Sequence, residues 1–167
     1  LLLGGNHEWR QVYREGGRTW LHGSGLPANP IFSNLIRQYI GAYFTTTDYD
    51  TYADIEVIDS NTFLRRFSIN VETKTVIGSG TRFAHCDDSI LGISGNETDK
   101  LTDKSEGFIL LAKGLNENGG ADLVYKSFSS GGEVLNFSSV GTWLSKDPLI
   151  FDLIGKFIKY DDYLAIT

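Results

Sequence analysis

The chain has 167 residues, a formal net charge of −6 and one cysteine. An acidic chain is a poor partner for nucleic acids or an anionic membrane surface, because both are bound through a basic face. A single cysteine excludes an intramolecular disulfide and a cysteine-rich metal site. The sequence also contains no stretch of about 18 apolar residues, which is the length that a membrane-spanning helix needs. We therefore predict no nucleic-acid partner and no membrane insertion.

The overall composition favours one domain, or one domain with a short appendage. The sequence contains no methionine, which predicts a domain cut from a longer chain. Aromatic residues make up 13% of the chain, and 19 glycines accompany only three prolines. This combination favours β structure with frequent turns.

Glycines divide the first 25 residues into two short strand-like pieces, residues 9–13 and 18–22. Two such strands form at best a marginal hairpin in water. Trp9, Tyr13 and Trp20 are large apolar groups on pieces too short to bury them alone. We therefore expect these three side chains at contacts with neighbours, either the rest of the chain or further copies of it.

Residues 30–40 are predicted to form one short helix. Asn29 can cap it, and Pro30 suits its first position because the missing N–H costs nothing there. Apolar residues then recur at helical spacing: Phe32, Leu35, Ile36, Tyr39 and Ile40. Gly41 can end the helix. The alternative is a pair of buried strand pieces.

Beyond residue 42, alternating apolar residues predict strands between glycine- and aspartate-rich turns. The predicted strands cover residues 53–57, 63–71, 73–77, 108–113, 122–128, 134–140, 149–160 (a pair or one bulged strand) and 163–166. The polar residues 95–107 are predicted as a long exposed loop, or a short solvated helix between loops. Helical crossovers are missing, so the predicted fold class is all-β, a β-sandwich or jelly roll.

The apolar faces of these strands define the predicted core. Its members are Val57, Phe67, Ile69, Phe108, Leu110, Leu123, Tyr125 and Phe137.

Catalytic motifs are weak throughout the sequence. His85 and Cys86 are adjacent, so on a strand they point to opposite faces and cannot form a dyad. We predict Cys86 as a small buried apolar residue. The chain has no G-x-S-x-G elbow and no phosphate-binding glycine loop. We therefore predict a protein without enzymatic activity and without a cofactor.

Metal binding is also not predicted. Asp48 and Asp50 have D-x-D spacing, and residues 96–106 hold several carboxylates. The second group lacks the glycine and the bidentate glutamate that an EF-hand requires. A solvated charged loop is the simpler interpretation of each.

The stretch of residues 43–52, YFTTTDYDTY, has the strongest binding character. Aromatic rings stack on sugar faces, carboxylates and hydroxyls bond sugar hydroxyls, and tyrosine also provides contact area at low entropic cost. The candidate ligand-binding residues are Tyr43, Asp48, Tyr49, Asp50 and Tyr52, with Trp143 as a second, separate candidate. The alternative is an ordinary aromatic strand beside a turn.

One family resemblance covers residues 3–20. The sequence Leu3-Gly4-Gly5-Asn6, then Trp9-Arg10 and Val12-Tyr13, then a glycine turn, resembles a motif near the ends of bacteriophage tail-fibre proteins. Gly17 stands where that motif has asparagine. The resemblance implies that residues 1–25 end a fibre shaft and that residues 26–167 form the distal head.

By the same resemblance, the chain would be a homotrimer on a virion that binds a bacterial surface polysaccharide or protein. Trp9, Tyr13 and Trp20 would then lie at subunit contacts. The alternative is a monomeric extracellular β-sandwich module, lectin-like or carbohydrate-active. A capsid-type jelly roll with a structural role is a third option.

Overall fold

The computed structural model describes residues 12–15, 18–21, 36–43, 52–82, 90–95, 98–101, 105–117, 119–139, 141–142 and 145–164. Several residues discussed above lie outside these ranges: Trp9, Asp48, Tyr49, Asp50, His85, Cys86 and Trp143.

Short strands in antiparallel sheets make up most of the described secondary structure. They are β1 (Val12–Glu15), β2 (Arg18–Leu21), β3 (Ala42–Tyr43), β4 (Tyr52–Ala53), β5 (Ile55–Val57), β6 (Val76–Ile77), β7 (Thr81–Arg82), β8 (Ile90–Leu91), β9 (Ser94–Gly95), β10 (Lys100–Leu101), β11 (Ile109–Gly114), β12 (Asp122–Ser127) and β13 (Glu133–Asn136). The helices are a π-helical turn (Ile36–Ile40), α1 (Ser60–Phe67) and α2 (Pro148–Leu164). The coarse expectation of an all-β protein with few helices is confirmed.

The central sheet has the order β13-β12-β11-β5-β6, and all its neighbours are antiparallel. Two-stranded pairs accompany it: β1-β2, β3-β10, β4-β9 and β7-β8. In the first of these, Tyr13 lies opposite Trp20, and β1 extends to Glu15 beyond the predicted piece of residues 9–13. The predicted hairpin between β12 and β13 is also present, closed by a hydrogen bond from Phe128 N to Gly132 O of 2.8 Å.

One face of the sheet packs against both α-helices. Phe63 and Phe67 of α1 and Ile150, Leu153 and Phe157 of α2 join the strand residues in one apolar core. Six predicted core residues are buried there: Val57, Phe67, Ile69, Leu123, Tyr125 and Phe137.

Phe108 and Leu110, the other two predicted core residues, are only partly buried. A β-bulge between Leu110 and Ala112 shifts the register against β12. Leu111 takes the buried position instead, at 0% exposure.

The predicted strand over residues 63–71 is replaced by α1, which is a correction. Asp59 caps the helix: its Oδ1 accepts from Thr62 N at 3.1 Å and its Oδ2 from Thr62 Oγ1 at 2.7 Å. Phe63 and Phe67 then lie one turn apart on the buried face. Ser68 ends the helix at a φ of 53°, in the left-handed region.

The strands predicted over residues 149–160 and 163–166 are replaced by α2, a second correction. Pro148 begins the helix, where its missing N–H is harmless, and Asp147 Oδ1 accepts from Leu149 N at 2.8 Å. Ile150, Leu153 and Phe157 recur at helical spacing and are buried. The short helix predicted over residues 30–40 is described only as the π-helical turn, because residues 30–35 lie outside the described ranges.

Arg66 fixes α1 to the β12–β13 hairpin. Its guanidinium makes a bidentate ion pair with Glu133, and its Nε also lies 3.2 Å from Tyr125 Oη. The guanidinium carbon is 5.0 Å from the Phe67 ring centre and 5.9 Å from that of Phe157. Burial opposes ionisation of Glu133, but hydrogen bonds from Arg66 and Tyr125 and the Arg66 charge outweigh it and lower the pKa of Glu133.

Removing one partner of this ion pair should therefore lower the free energy of unfolding more than removing both partners. Arg66→Ala leaves the partly buried Glu133 carboxylate without its cation, and we expect a loss of about 1.5–3 kcal/mol in unfolding free energy. The double variant Arg66→Met, Glu133→Leu should lose less than the single variant. Urea denaturation at pH 7 measures both, and a single variant as stable as wild type would contradict the prediction.

Candidate functional site: an aromatic platform

Four side chains from separate parts of the chain form an aromatic platform on the molecular surface. Its members are Tyr39 of the π-helical turn, Phe108 before β11, Lys126 of β12 and Phe128 after β12. The Tyr39 and Phe128 rings stack with centres 5.6 Å apart and an interplanar angle of 27°. Tyr39 remains 52% exposed, so part of this residue is accessible to solvent.

Lys126 holds the platform together. Its ammonium lies 5.0 Å from the Phe108 ring centre and 4.8 Å from that of Phe128, within cation–π range. The same Nζ donates to Gln38 O at 3.0 Å and to Glu106 O at 2.6 Å. Lys126 thus links the π-helical turn and the residues before β11 to the hairpin that carries Phe128.

The backbone approaches these rings closely at Gly41. Its φ is +85°, and a Cβ there would lie 2.3 Å from Phe108 Cδ1. Ser105 Oγ donates to Gly41 O at 2.6 Å, and Asn136 Nδ2 donates to Ile40 O at 3.2 Å. Gly41 therefore ends the turn as predicted, and it also lets the chain pass against Phe108 on its way into β3.

The tyrosine-rich stretch predicted as a binding site begins next to this platform. Tyr43 lies two residues beyond Gly41 and pairs with Lys100, while Tyr52 pairs with Gly95. Residues 94–101 therefore hold both ends of the stretch. Asp48, Tyr49 and Asp50 between those ends, and the second candidate Trp143, lie outside the described residues.

The prediction of an exposed loop or short solvated helix over residues 95–107 is wrong for Thr98 and Asp99, which are 2% and 0% exposed. Their backbone pairs with the chain that follows β13, through a Thr98–Ser139 bridge and an Asp99 N to Ser138 O hydrogen bond of 2.9 Å. The polar sequence led to a prediction of exposure, but the polar groups of this segment form hydrogen bonds with other buried groups rather than with solvent.

Asp122 anchors the same segment to the central sheet. Its Oδ2 accepts from Leu101 N at 2.8 Å, and its N donates to Asp99 O at 3.1 Å. Its Oδ1 is buried and accepts no hydrogen bond from the described part of the chain. Burial raises the pKa of Asp122 to about 6, although the Leu101 hydrogen bond and the charges of Lys113 and Lys100 oppose the rise.

The described residues give no support to a metal centre or a membrane span. Within the described ranges, no three histidine, cysteine or acidic side chains are grouped so that they could hold a metal ion. None of the described helices is both long and apolar enough to cross a bilayer.

Comparisons with known proteins identify no relative. No protein-family model matches the chain, and no curated protein or solved structure matches it significantly. The tail-fibre resemblance of residues 3–20 therefore stays a prediction.

The sequence placed Tyr39 among the apolar residues of a predicted helix and indicated no functional role for Phe128 or Lys126. The sequence shows each as an ordinary member of its own element. Only the packing of the turn against the β12–β13 hairpin brings them together.

The raised pKa of Asp122 predicts a specific pH dependence of stability. Between its unfolded value of 3.8 and about 6, the folded protein binds more protons than the unfolded chain. The stability contributed by the protonated carboxyl is therefore present at low pH and lost as pH rises through about 6. We expect wild type to gain stability relative to Asp122→Asn as pH falls from 7 to 4, in paired denaturant titrations. A difference between the two proteins that stays constant with pH would contradict this prediction.

Proposed function

We propose that this chain is a non-enzymatic binding domain that recognises a glycan through the aromatic platform and the adjoining tyrosine-rich stretch. The observation that carries the proposal is the exposed Tyr39 ring, stacked on Phe128 beside the Lys126 ammonium. Flat aromatic surfaces bind the apolar faces of sugar rings, and neighbouring polar groups fix the orientation of the ligand. The predicted ligand-binding stretch from Tyr43 to Tyr52 follows the platform in the sequence.

The proposed biological setting is the distal head of a bacteriophage tail fibre. Its support is the motif in residues 3–20, and its implied target is a polysaccharide or protein on a bacterial surface. In this setting three chains associate through Trp9, Tyr13 and Trp20, and residues 26–167 form a head of β-sandwich or jelly-roll type. The second candidate is a monomeric lectin-like or carbohydrate-active module, which would use the same platform.

The platform is tested by removing its exposed ring. Tyr39→Ala should weaken glycan binding about tenfold, because an aromatic contact is worth about 1–1.5 kcal/mol. Tyr39→Phe keeps the ring and should bind nearly as well if stacking dominates. Leu115→Ala, at a similarly exposed apolar side chain away from the platform, is the matched control.

A glycan array with bacterial surface polysaccharides provides the ligand, and titration of the best binder gives the affinities. The melting temperature should change little in all three variants, because Tyr39 and Leu115 are each about half exposed. Equal affinity of wild type and Tyr39→Ala would overturn the platform as the binding site.

The trimer is tested separately by deleting residues 1–25. Three chains that share Trp9, Tyr13 and Trp20 bury apolar surface worth about 25 cal/mol per Å². The deletion should therefore reduce association while residues 26–167 keep their cooperative unfolding transition. Light scattering at micromolar concentration measures the mass. A monomeric intact chain would overturn the tail-fibre setting and favour the lectin-like module.

A further inference from the structure

A pocket of about 300 Å³ lies on the face of the central sheet that is turned away from the apolar core. Its walls are the neighbouring strands β5 and β11 and the turn that follows β11. Val57 and Ala112 of these strands belong to the core. Successive side chains of a strand point to opposite faces, so Glu56 and Lys113 project from the other face, where they line the pocket.

This pocket is separate from the aromatic platform. Phe108 of the platform precedes β11, whereas the pocket lies at the other end of that strand. Six residues of extended strand span about 20 Å. The volume of the pocket is at the lower end of the range that is typical of ligand sites, so a small ligand fits it.

Three charged side chains line the pocket: Glu56, Lys113 and Glu117. Lys113 lies directly opposite Glu56 on one neighbouring strand and opposite Asp122 on the other. Even so, none of the three lining side chains forms an ion pair or a hydrogen bond within the described part of the chain. One ammonium and two carboxylates are therefore available to a ligand.

Glu117 is carried by a turn whose shape is fixed by buried hydrogen bonds. Asn116 Nδ2 donates to Ser94 O at 3.1 Å, and Ser94 Oγ donates to Asn116 Oδ1 at 2.6 Å. Gly119 N donates to Asn116 O at 2.9 Å and closes the turn. The pocket is thus formed before a ligand arrives, which lowers the entropic cost of binding.

The spacing of the charges determines which ligand fits. Residues directly opposite each other on antiparallel strands have Cβ atoms about 4.5–5.5 Å apart. The Glu56 carboxylate and the Lys113 ammonium can therefore contact two charged groups of one small molecule. An α-amino acid carries an ammonium and a carboxylate on the same carbon. Ile58, which is 41% exposed, also lines the pocket and offers an apolar contact to an aliphatic side chain.

We propose that this pocket binds a small zwitterion, an α-amino acid with an aliphatic side chain. Lys113 binds its carboxylate, and Glu56 and Glu117 bind its ammonium. The lining has two acids and one base, so a ligand that carries only a carboxylate is disfavoured. This site does not depend on glycan binding at the aromatic platform.

Calorimetric titration of the intact chain tests the ligand class, with L-leucine as the probe. Isoamylamine has the same aliphatic group without the carboxylate, and isocaproate has it without the ammonium. Each analogue should bind about fivefold more weakly than leucine, because each loses an ion pair at a partly exposed site. Equal affinities for leucine and isoamylamine, or no detectable binding of leucine, would overturn the proposal.

Variants then assign the charges. Lys113→Met should abolish the preference for leucine over isoamylamine, and the double variant Glu56→Gln, Glu117→Gln should abolish its preference over isocaproate. Lys146→Met, at an exposed lysine outside the pocket, is the matched control and should bind like wild type. Circular dichroism should show folded protein in each variant. A folded Lys113→Met variant that keeps the wild-type affinity for leucine would also overturn the proposal.

Discussion

The segment of residues 94–101 forms hydrogen bonds with three other parts of the chain. The positions of those parts depend on these hydrogen bonds. It pairs with β4 at one end and β3 at the other, while its middle bonds to the chain after β13. Buried Ser94 Oγ donates to Asn116 Oδ1 at 2.6 Å and accepts from Ala121 N at 2.8 Å. Unsatisfied buried polar groups are costly, so this network fixes where the tyrosine-rich stretch begins and ends.

The central sheet could be predicted because its signals are local. β11, β12 and β13 are short apolar runs separated by glycine-rich turns, and such runs predict buried strands. The helices were harder, since Phe63, Arg65 and Phe67 alternate like a strand while Phe63 and Phe67 alone also fit a helix turn. The Asp59 cap decides between the two, and the same sequence also fits a turn. In α2, the largely apolar run of residues 149–160 also fits strands, and Gly155 within it suggested a break.

The candidate site was predictable only in part, because its members meet through tertiary contacts. Composition identified the stretch from Tyr43 to Tyr52, and the structure sets its two ends against one segment. The stacking of Tyr39 on Phe128 joins residues 89 positions apart in the sequence. A local sequence pattern cannot predict such a contact. The β-bulge that places Leu111 in the core also depends on a neighbouring strand.

The π-helical turn is stabilised by hydrogen bonds from side chains that lie outside it. Its carbonyls at Gln38 and Ile40 accept from Lys126 and Asn136, which both belong to the β12–β13 hairpin. A five-residue turn has too few internal hydrogen bonds to hold itself in water. A synthetic peptide of this turn would therefore not display Tyr39 as the protein does. Transplanting the platform onto another scaffold would require the hairpin, with its lysine and asparagine, to be moved together with the turn.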